Sequence, residues 1–151
     1  MSDKSEIHEE FAKQCFNGVW DLLDKVERTK EDEMQMIRMA HASRYHWGEI
    51  GTPLQFARGD WQIARVYAML GFGVMSYKYA KSCLDLCEKH DLGDFDLAFA
   101  YEGLARACAV SGDLDKGQGY IYLAESAGNE IAKDEDREYF FNELKEVAAF
   151  L

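Results

Sequence analysis

The segments IARVYAMLG (63–71) and LARACAVSG (104–112) align without a gap at an offset of 41 residues. The same offset, applied backwards, places Leu22 with Ile63 and Leu104, and Gly18 with Gly59 and Ala100. Trp20 falls on Trp61. Further along each unit, Met39 matches Ala80 and Ile121, and Ala42 matches Cys83 and Ala124. Small residues recur in these columns, as close helix–helix approach requires. A period of this length is the signature of a stacked array. It divides a single domain, residues 1–151, into units at about 12–52, 53–93 and 94–134, closed by a polar-faced helix at 135–149.

Apolar residues recur at helical spacing throughout, and no segment alternates as a strand does. Seven helices are expected, at about 4–28, 31–49, 53–70, 74–91, 95–111, 114–131 and 135–149. Thr52-Pro53-Leu54-Gln55 combines a capping threonine, a proline suited to the first helical position and a glutamine placed for a capping box. Thr29 opens a helix whose first turn is acidic. Asp94, Asp113 and Asp134 are expected N-caps, and Gly71, Gly93 and Gly112 expected C-terminal caps. The short connections predict antiparallel helical hairpins, an all-α fold.

Composition narrows the function. The chain has 151 residues, 48% hydrophobic and 30% charged with one proline, too apolar for a disordered chain. A net charge of −11 repels a phosphate backbone, so no nucleic-acid partner is expected. The longest apolar run, 66–75, is short and broken by Gly71 and Gly73, so no membrane span is expected. The first ten residues, MSDKSEIHEE, show no signal-peptide pattern. Cys15, Cys83, Cys87 and Cys108 show no CxxC spacing and read as the reduced, core-packing residues of a cytoplasmic protein. Charge is uneven: residues 1–34 carry −5, residues 35–82 carry +4 and residues 83–151 carry −10. The cationic middle either faces an anionic partner or is neutralised within the fold.

Ala64, Tyr67, Gly71 and Cys83 in one unit, with Tyr101, Ala105, Gly112 and Ala124 in the next, resemble the small-and-aromatic pattern of the tetratricopeptide (TPR-like) repeat. The resemblance covers roughly residues 12–134. It departs from that family in three ways: a period longer than the usual ~34, no proline at a unit's end, and Ser76 and Gly117 where alanine is customary. AHASRYHW (40–47), RGDWQIARVYAMLG (58–71) and DFDLAFAYEGLARA (94–107) also resemble a family of small uncharacterised bacterial proteins, which implies no particular activity. In TPR-like proteins the first helix of each unit lines a concave groove. The resemblance implies that Asn17, Trp20 and Asp24, then Arg58, Trp61 and Arg65, then Phe99, Glu102 and Arg106 line it here. Aromatics beside arginines suit an acidic peptide or a terminal carboxylate, since arginine offers a planar donor fork. The competing reading makes Trp20, Trp61 and Phe99 core, with Arg65 paired to a carboxylate such as Glu102.

A second cluster comprises His41, Arg44, Tyr45, His46 and Trp47. His41 and His46 are five apart, about 140° around a helix, so they do not clamp one metal while helical. No HExxH, GxGxxG, P-loop or GxSxG motif is present, and DEDRE (134–138) lacks the spacing of a calcium loop. Neither a metal nor a cofactor is expected. The sequence therefore points to a non-catalytic protein- or peptide-binding module, with an acidic segment as candidate ligand. The alternative is a small enzyme or small-molecule sensor using the His41–Trp47 cluster. Association of identical chains through helix faces is a third reading.

Overall fold

A computed structural model describes residues 2–151; Met1, the start of the expected domain, lies outside them. Seven helices follow in order: α1 (Ser2–Leu23), α2 (Lys30–Ile50), α3 (Pro53–Met69), α4 (Gly73–Lys89), α5 (Asp94–Ser111), α6 (Leu114–Asn129) and α7 (Asp134–Ala148). No strand occurs among the described residues. The fold is all-α. Helices α1 and α2, α3 and α4, and α5 and α6 pack as hairpins, and the hairpins stack through α2–α3, α4–α5 and α3–α5 contacts. Helix α7 lies across α5 and α6. No helix among the described residues is long and apolar enough to cross a membrane.

Local chemistry sets the helix ends. Thr29 and Asp32 form a reciprocal capping box, with both bonds at 3.0 Å. Gln55 Oε1 accepts from the Thr52 backbone N–H at 2.8 Å. Helices α3, α4 and α5 end alike, in bonds from Phe72 N to Tyr67 O, Leu92 N to Cys87 O and Asp113 N to Cys108 O. This closure needs a left-handed residue, supplied by Gly71 (φ 85°) and Gly112 (φ 78°) as expected. At the end of α4, however, Asp91 (φ 55°) takes that role, and Gly93 instead precedes α5.

Three other expectations are corrected. Helix α1 stops at Leu23 rather than near residue 28. Arg28 Nη1 donates to the Leu23 carbonyl at 3.1 Å and turns the chain there. Asp94 is not an N-cap: it opens α5 at φ 56°, and its carboxylate accepts from Phe95 N and from Ala132 N, tying the α6–α7 link to α5. Lys133, not Asp134, precedes α7, whereas Asp113 does stand at the N-cap of α6, without a side-chain cap bond.

The core is a row of clusters between successive helices. Val19, Met36, Ala40, Ile63 and Val66 join α1, α2 and α3. Ala57, Ala64, Ala80, Cys83 and Leu104 join α3, α4 and α5. Ile121, Ala124, Phe140, Leu144 and Val147 join α6 to α7. Alanines recur in this core because short side chains let helices approach closely. A Cβ on Gly59 would meet Arg44 Cδ at 2.8 Å, so α2 and α3 are in contact there. Cys83, Cys87 and Cys108 are buried free thiols, and Cys15 is half-buried.

Candidate functional site

Trp61 occupies the middle of α3, where α1 and α5 flank it. Its ring lies 5.8 Å from Trp20 of α1 and 5.5 Å, edge-on, from Phe99 of α5. Phe16 sits one helical turn before Trp20, and Phe95 one turn before Phe99, at ring separations of 6.3 Å and 4.6 Å. Tyr139 of α7 closes the row, 5.9 Å from Phe99. These rings wall a cleft of about 420 Å³, open to solvent, with Ala57 and Cys83 among its lining. Hydrogen bonding to Cys87, together with burial, pushes the Cys83 thiol well above its usual range, so it lines the cleft as neutral S–H rather than as a nucleophile.

The cleft's charged groups are Arg58, Asp96 and Asp136. Arg58 forks onto Asp96, with Nε to Oδ1 at 2.8 Å and Nη2 to Oδ2 at 3.2 Å. That bonding raises the Arg58 pKa. Asp136 makes no ion pair among the described residues.

Behind Trp61 lies a buried polar network centred on Glu102, whose side chain is fully buried. Its carboxylate accepts from Trp61 Nε1 at 3.1 Å, Arg106 Nε at 2.8 Å and Arg65 Nη2 at 3.5 Å. Arg65 also reaches Glu143 at 3.3 Å and lies 4.9 Å over the Trp61 ring. Gly103 leaves room for this arrangement, since a Cβ there would touch Trp61 at 3.3 Å. The column is periodic: Trp20, Trp61, Glu102 and Glu143 are each 41 residues apart. Within this network Arg65 Nε and Arg106 Nη2 are buried without a hydrogen-bond partner among the described residues.

Of the expected groove residues, Trp20, Arg58, Trp61 and Phe99 do line one cleft. Arg65 and Glu102 are buried behind it, and Arg106 borders a separate hollow of about 250 Å³ with Met69 and Phe150. Asn17 is exposed outside the lining, and Asp24 lies exposed just past the end of α1. The three arginines do not form one row of free donors, because Asp96, Glu102 and Glu143 hold them. Much of the cationic middle is matched in this way, since Arg38 also pairs with Glu31 and Arg44 with Asp60. Phe16, Phe95, Asp96, Asp136 and Tyr139 were not among the expected residues. Phe95 had a signal, the i, i+4 spacing to Phe99.

The His41–Trp47 cluster is split by the rotation of α2. His41 Nε2 and Tyr67 Oη share a hydrogen bond at 2.9 Å towards α3, and burial lowers the His41 pKa against an opposing effect of Asp60. Arg44 Nε donates to Asp60 Oδ1 at 2.9 Å. His46 turns the other way, its Nδ1 2.8 Å from Nδ1 of His8 on α1. Tyr45 is exposed, and the Trp47 carbonyl accepts from Gly51 N. These side chains do not converge on a common point, and no cluster of three or more metal-ligating side chains occurs among the described residues. No family model, curated protein or solved structure matches the chain.

Proposed function

We propose that the stacked hairpins are a TPR-like array and that the protein is a non-catalytic, protein- or peptide-binding module. The observation that carries this reading is the open, aromatic-walled cleft between α1, α3, α5 and α7. Its size is that of a site for one or two side chains, and tryptophan and tyrosine supply rigid contact area at little entropic cost. The acidic-ligand form of the reading loses its support, because Arg58, Arg65 and Arg106 are committed to carboxylates of the chain itself. The partner instead inserts an apolar or aromatic-compatible group. The buried free thiols support a reducing, cytoplasmic location. A small enzyme or sensor built on His41–Trp47 has less support, since those side chains diverge.

Peptides selected from a random display library provide the test. Binders should shift the indole N–H resonances of Trp20 and Trp61 and lose about tenfold or more in affinity with Trp20→Ala, a loss on the scale of an interface hot spot. Binders that shift only signals remote from these indoles would overturn the reading.

A further inference from the structure

Resting on that reading, we propose that the aromatic cleft is a subsite for an alkylated ammonium cation, a group with a quaternary or methylated nitrogen. Three observations converge on this ligand. The first is the wall: Phe16, Trp20, Trp61, Phe95, Phe99 and Tyr139 surround one cavity of about 420 Å³. Aromatic ring faces carry negative electrostatic potential, and they attract a cation whose alkyl shell sheds water easily. The second is charge. The charged lining groups are one arginine and two aspartates, so the lining carries a formal charge of −1. Arg58 is neutralised by its fork onto Asp96, which leaves Asp136, half-buried and without an ion-pair partner among the described residues, to face a ligand. The third is precedent within the chain itself, where the Arg65 guanidinium lies 4.9 Å over Trp61.

An acidic ligand fits this lining poorly, because it would meet Asp136 and Asp96 while the cationic side chain of the lining, Arg58, already forks onto Asp96. An unalkylated lysine fits less well than its methylated form, since its strongly hydrated ammonium would give up water for a cavity whose walls are mostly hydrocarbon. The protein's net charge of −11 further favours the approach of a cation.

The test compares choline and tetramethylammonium with 3,3-dimethylbutan-1-ol, the uncharged carbon isostere of choline, by tryptophan fluorescence and by the Trp20 and Trp61 indole resonances. Choline should bind about tenfold more tightly than the isostere, the scale of a desolvated cation–π contact. Asp136→Asn should weaken choline several-fold and leave the isostere unchanged, and Tyr139→Leu should weaken choline several-fold more than the isostere, with thermal melting used to establish that both variants are folded. Equal binding of choline and its isostere would overturn the cation and leave the peptide-binding reading standing. No indole shift with any of the three probes would overturn it as well, while the display selection tests peptide binding independently. A second arm separates the sources of the same chemistry. A short peptide bearing trimethyllysine, compared with the same peptide bearing lysine, should bind better than choline if the cation arrives on a partner chain, and no better if it arrives as a free molecule.

Discussion

Glu102 is the residue on which the interior depends most. A carboxylate with no exposed surface is stable only where its charge is met, and here it is met by two guanidinium groups and an indole N–H. Glu102→Gln keeps the shape and removes the charge, leaving Arg65 and Arg106 without their shared counter-ion. The expected loss is about 3–5 kcal/mol in urea unfolding, the range for breaking a buried pair from one side. Glu143→Gln, at a side chain 19% exposed, should lose about 1 kcal/mol or less. Equal losses at the two positions would mean that the network is not centred on Glu102. The arginine-groove expectation foundered here for a physical reason. Spacing places Arg58, Arg65 and Arg106 on equivalent helices, but it does not reveal that Glu143, 78 residues beyond Arg65, returns to neutralise it.

At the scale of the helix, most of the structure was legible. The 3.6-residue period, the capping boxes and the glycine stops carry their information locally, so seven helices were readable with ends mostly within a few residues. The exceptions depend on groups outside the local window. Helix α1 ends early because Arg28 folds back onto Leu23, and α4 closes on Asp91 although a glycine stands two residues further on. Small residues in matching columns were also legible as helix contacts. Ala64 is buried to 1% exposure, and its carbonyl accepts from Ser76 Oγ of α4 at 2.8 Å. Ala64→Leu would force three methylene-sized carbons between α3 and its neighbours. It should cost about 1–3 kcal/mol in chemical denaturation while the far-ultraviolet circular dichroism stays helical. A variant as stable as the parent would mean that the helices have room to part.

Across the whole molecule, histidines join elements that short loops alone would leave free to shift. His41 links α2 to Tyr67 of α3, and His8 links α1 to His46 of α2. Burial lowers the folded-state pKa of His41, so the unfolded chain takes up its proton more readily. Its contribution to stability is therefore complete above the ordinary histidine value of about 6.5 and is lost as pH falls below it. The melting temperature should fall between about pH 7.5 and about pH 5.5, and fall less in His41→Phe. An identical fall in parent and variant would remove His41 from the account. The candidate site was the part least legible at this scale. Trp20, Trp61 and Phe99 were named from the resemblance to TPR-like groove positions, but Tyr139 and Asp136 come from a helix that reads as a polar-faced closing helix.

The column Trp20–Trp61–Glu102–Glu143 also bears on how such a chain can change over generations. An open-ended repeat protein grows or shrinks by duplicating or deleting a unit, because every joint is interchangeable. Here the joints are not interchangeable: the first pairs two indoles, the second pairs an indole with a carboxylate, and Arg65 bridges to a carboxylate two intervals further along. An extra hairpin inserted after α4 would separate Arg65 from both of its counter-ions and move Tyr139 out of the cleft. The stretch from α3 to α7 therefore does not admit a new hairpin, and descendants of this sequence should vary in their loops and outer helix faces while keeping α3, α5 and α7 in this order.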